Sequence, residues 1–381
     1  MTSGADGMSV IRENKRLRCG HTTGTCAAAA TKAALMMLFS QKDIGAVRIT
    51  TPKGIELSLS VEDPRFSRYE ASCAVRKDGG DDTDCTHGTL ICSHVSLSKE
   101  GISIDGGKGV GRVTKKGLDQ PVGNAAINRV PREMIRNSVK EVCESFGYSG
   151  GVDIIISAPE GEELAKRTFN PRLGIVGGIS IIGTSGIVEP MSEKAMTDTM
   201  RVEMNVKKEA GSRYFLIVPG NYGEKFASTY PGLKDEDSVK CSNFIGEALD
   251  SSVEFGAEGV LLVGNLGKLV KVAGGIMNTH SRYADCRMEI LTACAVKAGM
   301  DGGTAAKILE CTTTDDALSI INGAGRMKEV MNIVKERIAF HMDSRVRGKI
   351  MTGAVVFSSE YGEVCRTDNA DKLIKMLEGG Q

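Results

Sequence analysis

The sequence predicts a mixed α/β and α+β protein of two domains: a first α+β domain over residues 18–150 with a mostly antiparallel sheet, and a second, Rossmann-like α/β layered domain over residues 151–381. Three observations carry this expectation. At 381 residues the chain is longer than one compact core usually holds. Up to Gly150 the strand patterns follow one another in hairpin fashion, whereas beyond it apolar strands alternate with helical segments. The 46 glycines are gathered in short clusters behind apolar runs, as in loops that meet a phosphate or a cofactor.

In the first domain, the Gly/Thr loop Arg18–Thr25 leads into an Ala-rich helix, Cys26–Phe39, which Thr23 or Thr25 caps. Val47–Thr51 and Ile55–Val61 alternate apolar and polar residues around Pro52-Lys53-Gly54, a hairpin pattern. Tyr69–Arg76, Thr89–Leu97 and Gly101–Asp105 continue as strands, and Pro131–Phe146 reads as a helix with Pro131 in its first turn. In the second domain, Val152–Ser157 reads as an apolar strand of a parallel sheet buried on both faces. Strands follow at Tyr214–Val218, Gly259–Val263 and Val355–Ser358. Helices are expected at Ser192–Ala210, Asn243–Phe255, Met288–Ala298, Thr304–Leu309 and Lys328–His341.

Composition removes several function classes. Lys plus Arg and Asp plus Glu both number 48, so there is no basic excess of the kind nucleic-acid binders carry. Ten Phe, seven Tyr and no Trp leave little for base stacking. No apolar run is long enough to span a bilayer, and Met1–Arg16 lacks the apolar stretch of a signal peptide. Residues 1–17 read as a disordered tail. The 11 cysteines form no Cys-x-x-Cys pair and read as reduced thiols, which points to the cytoplasm. A homo-oligomer is left open.

Five segments carry chemistry. Gly20–Cys26 offers free N–H groups and the hydroxyls of Thr22, Thr23 and Thr25 at a helix start, suited to an anion or to plain capping. Lys77–Gly88 packs Asp81, Asp82, Asp84 and His87 together, an acid/base or cation-binding set or a solvated turn. Like charges this close call for a compensating partner. Ile104–Arg112 has glycines at the wrong spacing for a dinucleotide fingerprint, but Lys108 and Arg112 suit an anion. Gly174–Ser192 combines Gly177, Gly178, Gly183, Thr184, Ser185 and Gly186 with Glu189, which suits the ribose of a nucleoside or a structural turn. Gly264–Lys271 begins at a strand end and, with Asn278–Arg282, supplies Lys268, Lys271, His280 and Arg282 as a second basic group.

Together these strings resemble the cobalt-precorrin-5B C(1)-methyltransferase (CbiD) family of anaerobic cobalamin biosynthesis. The stretches that carry the resemblance are Thr22–Lys32 (TTGTCAAAATK), Lys77–Gly88 (KDGGDDTDCTHG), Ile104–Thr114 (IDGGKGVGRVT), Phe169–Ser192 (FNPRLGIVGGISIIGTSGIVEPMS), Pro219–Gly223 (PGNYG) and Ile276–Arg282 (IMNTHSR). The chain departs from the family pattern at His21 (Tyr expected), Lys116 (Pro), Asn265 (His) and Cys286 (Gly).

The resemblance implies methyl transfer from S-adenosylmethionine to C-1 of an anionic cobalt-corrin substrate, giving cobalt-precorrin-6A. Nucleic acid and membrane are not expected as partners, and no protein-held metal is expected, because cobalt arrives within the substrate. On this reading Asp81, Asp82, Asp84 and His87 are the catalytic candidates. Gly177, Gly178, Gly183, Thr184, Ser185, Gly186, Glu189, Gly220 and Asn221 are the cofactor candidates, placed on the second domain. Thr22, Thr23, Thr25, Lys108, Arg112, Lys268, His280 and Arg282 are the substrate candidates. The rival expectations are a non-catalytic corrinoid-binding protein and a nicotinamide-dependent reductase, the latter lacking its fingerprint.

Overall fold

The structure, a computed structural model, describes residues 8–12 and 14–379. The expected tail is ordered where it is described: Ser9–Arg12 pairs antiparallel with Lys15–Arg18. Residues 1–7 lie outside the described part.

The chain forms two compact units that divide between Glu193 and Lys194. The division therefore falls later than the expected boundary at Gly150. The reason is strand pairing. Gly151–Ser157 bonds antiparallel to Leu90–Ser98 on one side and parallel to Ile102–Gly106 on the other. It thus completes the first unit's five-stranded sheet, with the outer pair Glu62–Phe66 and Glu70–Arg76 beyond Leu90–Ser98. Its burial alternates: Val152, Ile154 and Ile156 are buried while Asp153 and Ile155 are exposed. A one-sided strand was mistaken for a two-sided one because Ile155 is apolar yet faces outward.

The first unit's core lies between this sheet and two helices, Thr23–Ser40 and Arg129–Phe146. The Ala-rich helix is buried nearly all round, because methyl side chains let the sheet and the second helix approach it from different sides. Thr22 caps it by accepting from the Thr25 N–H at 3.2 Å. Cys26 at its start is fully buried, and burial pushes its thiol up to about 12, so this cysteine is inert.

Two glycine segments meet main chain to main chain. Gly109–Val110 pairs parallel with Gly178–Ile179, and Arg112–Val113 pairs antiparallel with Ile175–Val176. A Cβ on Gly178 would stand 2.2 Å from the Gly109 carbonyl oxygen. One on Gly109 would stand 1.8 Å from that of Ala158.

The second unit is built on a sheet of five strands. Their spatial order is Ser238–Lys240, Tyr214–Val218, Gly259–Asn265, Met351–Ser358, Gly362–Arg366. The first four run parallel and the last antiparallel. Both faces are covered. Phe215, Ile217, Val260, Leu262, Ala354 and Val356 join one core with the helices Ile245–Glu254, Leu266–Ala273 and Met327–Val346. Leu216, Val218, Leu261, Val263, Val355 and Phe357 join another with Ala227, Leu373 and Ile374. Double coverage explains why these strands read as unbroken apolar runs. The chain reverses its direction of travel across the sheet between Tyr214–Val218 and Gly259–Asn265, the kind of point where doubly wound sheets open a crevice.

The contact at Gly109 gives a direct test. Gly109→Ala adds a clash to a left-handed φ of +73°, whereas Gly123→Ala at φ +91° meets open space. The first is expected to lose at least about 2 kcal/mol of stability by urea unfolding, and the second about 1 kcal/mol. Equal losses would mean that backbone conformation, not close approach, selects glycine at 109.

Candidate functional site

The acidic loop is compensated from within the first unit. Arg18 holds Asp78 through both carboxylate oxygens, one at 2.9 Å. That hydrogen bonding, aided by the Gly80 N–H, brings the Asp78 carboxyl down to about 2 against the effect of partial burial. Burial alone would raise Asp84. The charge and hydrogen bond of Lys77, 2.8 Å away and itself buried, and bonds from Thr86 hold it below its ordinary value instead. Asp81 accepts the Arg18 N–H at 2.6 Å, and Asp82 accepts the N–H groups of Asp84 at 3.0 Å and Met191 at 3.3 Å. His87 accepts the Gly79 N–H through Nδ1 at 3.0 Å, and its side chain is 55% exposed. The four candidates therefore lie together, but Asp84 is a partner of Lys77, and Asp81 and His87 are the exposed members.

The three threonines are not available to a ligand. Thr22, Thr23 and Thr25 are all buried. Thr23 Oγ1 accepts from the Ile182 N–H at 2.9 Å, Thr25 Oγ1 donates to the Gly186 carbonyl at 2.8 Å, and the Thr22 N–H donates to the same carbonyl. They fasten the segment 182–186 to the helix start. That segment belongs to the first unit, not to the second where the cofactor candidates were placed. Gly183 and Gly186 leave room for Thr22 and Thr51, and Ser185 bonds its own turn at Ile187. Gly177 and Thr184 are exposed. Glu189 takes Lys53 at 2.6 Å, with Arg12 at 4.0 Å, so its carboxylate is already paired. Arg112 is likewise held by Asp105, at 2.7 and 2.9 Å. Lys108 is exposed.

The second unit holds an open cavity of ≈ 720 Å³ at the carboxyl ends of its central strands. Gly220, Lys268 and His280, assigned from sequence to different ligands, line it together. Asn221 and Arg282 flank it in sequence without lining it. Asn221 accepts from Lys240 at 3.0 Å, and Arg282 bonds the Tyr283 hydroxyl at 3.1 Å. Gly220, at φ +135°, turns the chain after the strand Tyr214–Val218, and a Cβ there would meet nothing. Asn265 closes the next strand and caps the following helix, accepting the Gly267 N–H at 2.8 Å. Asn243, Tyr222, Arg287 and Ser359 also line the cavity and were missed. Strand-end position was the one available signal: it marks Asn265 and Ser359, which directly follows Met351–Ser358, but not Asn243, whose short strand Ser238–Lys240 the sequence does not show, nor Arg287.

Among the described residues, no group of three or more His, Cys, Asp or Glu side chains is arranged to hold a metal ion, and no helix is long and apolar enough to cross a membrane.

The Arg18–Asp78 pair fixes an acid response. Asp78 titrates near 2 when folded and near 4 when unfolded. The pair's contribution is therefore complete above about pH 4 and is lost as pH falls through about 2. Asp78→Asn should lower the melting temperature at pH 7 and flatten its fall between pH 4 and 2. An unchanged slope would assign that fall to other carboxylates.

The family model described as CbiD matches residues 10–190, and the model of the CbiD C-terminal domain matches residues 278–368. A protein of Ruminiclostridium cellulolyticum named cobalt-precorrin-5B C(1)-methyltransferase is 49% identical over 374 residues, 97% of each chain. Proteins of the same name from Alkaliphilus metalliredigens (97% of each chain) and Thermoanaerobacter sp. (93% of this chain, 97% of that one) are 44% and 46% identical. The crystal structure of a cobalamin biosynthesis protein (cbiD) from Archaeoglobus fulgidus is 30% identical. It covers 74% of this chain and 89% of its own, with a TM-score of 0.41. With matches of this identity along nearly its whole length, the chain belongs to the CbiD family.

Proposed function

We infer that this protein methylates C-1 of cobalt-precorrin-5B in cobalamin biosynthesis, the activity in the name of its relatives at 44–49% identity. S-adenosylmethionine is the methyl donor in this reading, and cobalt-precorrin-6A the product. The reaction is placed in the cytoplasm, where the eleven free cysteines stay reduced.

We assign the donor to the cavity of the second unit, read as Rossmann-like, rather than to Gly177–Glu189. The observation that carries this is the position of the cavity at the reversal point of a doubly covered sheet, between Gly220 and Asn265. The residues fit such a molecule. The turn at Gly220 presents bare main chain, Asn243 and Asn265 bring amide groups, and ≈ 720 Å³ suits a nucleoside with an amino-acid tail. When bound, the donor supplies an electrophilic methyl carbon on a cationic sulfur, which becomes a neutral thioether as the methyl group leaves. The protein's part is alignment of the methyl with the ring carbon and exclusion of water.

For the corrin substrate we keep the exposed Lys108 and the Asp81, Asp82 and His87 end of the acidic loop. His87 accepts the Gly79 N–H through Nδ1, so in the neutral ring Nε2 carries the hydrogen and is left to donate it to the macrocycle. Asp82 steadies that end through Asp84 and Met191.

Anaerobic incubation with cobalt-precorrin-5B and methyl-labelled S-adenosylmethionine, read by mass spectrometry, should give a labelled product heavier by one methyl group. Binding of the macrocycle without transfer would favour a non-catalytic corrinoid carrier instead. In the same assay, His87→Ala is expected to lower turnover by at least about tenfold and Asp82→Asn by less. Full turnover with unchanged substrate affinity in both would remove this loop from the reaction.

A further inference from the structure

No Asp or Glu lines the second unit's cavity, while Lys268, Lys271 and Arg287 all do. Two of these cations have a counter-charge. Asp285 takes Arg287 at 2.5 and 3.0 Å and stands 3.6 Å from Lys271. Lys271 is also fully spent, donating to the carbonyls of Thr279 and Ala284 and to Ser281 Oγ. Lys268 differs. Its Nζ donates to the carbonyl of Pro219 at 2.7 Å and of Ser242 at 3.3 Å, both neutral. No described carboxylate lies within ion-pair distance of it, and burial lowers its pKa with Lys271 adding repulsion. An ammonium has three N–H groups, so one remains.

The geometry also fixes where that charge stands. Lys268 sits on the helix after Gly259–Asn265 and bonds the turn after Tyr214–Val218 and the turn after Ser238–Lys240. It therefore lies at the junction of three strand ends. A half-buried cation there, without an anion, is a costly arrangement that a ligand anion relieves.

We propose that the cavity receives a carboxylate, and that Lys268 is its counter-charge. The inference rests on the methyltransferase reading, which offers two sources of that group: the amino-acid tail of the donor and the acid arms of the corrin. A purely structural role for Lys268 would weaken all ligands alike. A carboxylate partner changes the preference between ligands.

The test is isothermal titration of the intact wild-type protein and Lys268→Met. The probes are S-adenosylhomocysteine and 5′-methylthioadenosine, which share a nucleoside but differ in the tail, and a cobalt corrin with free acid arms beside its amidated form. If the donor's tail is the source, wild type should favour S-adenosylhomocysteine by about tenfold or more, and Lys268→Met should erase that ratio. If a corrin arm is the source, the acid-over-amide ratio is the one that disappears. Should wild type bind neither nucleoside yet lose its acid-corrin preference in Lys268→Met, the donor placement fails and the carboxylate site stands. The proposal is overturned if the variant keeps every preference of the wild type, or if the wild type shows none. A wild type without any preference overturns the proposal even if Lys268→Met does not fold, and Lys268→Gln then replaces that variant in the comparison.

Discussion

Gly109 brings its Cα against the carbonyl of Ala158, and the strand pair that follows lays Gly178 against Gly109. Much of the first unit depends on this contact of main chain with main chain. It joins the segment after Ile102–Gly106 to the segment that ends the unit, with no side chain between them. The same logic recurs at Gly20 and Gly80, where a Cβ would lie 2.2 Å from the Asp78 and Arg18 carbonyl oxygens. That second contact seats the acidic loop on the N-terminal strand. The loop's charges can then be met by Arg18 and Lys77 at fixed distances.

Once main chain is packed this closely, its polar groups need partners that fit in the same space. Threonine hydroxyls supply them. Thr23 and Thr25 stand at the start of a helix and reach across to Ile182 and Gly186, so one short stretch caps the helix and closes the unit. Burial of the Ala-rich helix follows from the same economy of side-chain volume. Small residues serve the close approaches of the helix and of the glycine segments, while Leu, Ile, Val and Met fill the core between sheet and helices.

This explains what the sequence disclosed and what it hid. The element types were legible where apolar period decided them, as in Arg129–Phe146 and Gly259–Asn265. The division between units was not, because pairing of Gly151–Ser157 with Leu90–Ser98 is a long-range choice that local pattern does not encode. The short strand Ser238–Lys240 and the helix Ala370–Gly379 escaped notice for want of length or punctuation. For the site, a glycine that admits a ligand and a glycine that admits a neighbouring carbonyl look alike in one dimension. So do a threonine that caps a helix and one that binds an anion. Lys268 was legible because a strand-end glycine turn preceded it, a position with meaning in any doubly wound sheet, and His280 because it stands in the polar run Asn278–Arg282.

The balance of charge separates the two kinds of site more sharply than residue type does. The chain is neutral overall, with 48 residues of each sign, so an unmatched charge has to arise from local arrangement. In the first unit each acid of the loop has a donor: Asp78 and Asp81 meet Arg18, Asp82 meets two N–H groups, and Asp84 meets Lys77. Glu189 and Asp105 are matched by Lys53 and Arg112 in the same way. The ion pairs among these order loops and define their register, and they leave Asp78, Asp84, Asp105 and Glu189 little charge to act on a ligand. The crevice of the second unit is built the other way. No described carboxylate lines it, three cations do, and Asp285 beside them is already shared between Lys271 and Arg287. Charge left over in a concave, partly desolvated place is the physical mark of a surface shaped for something other than the protein itself.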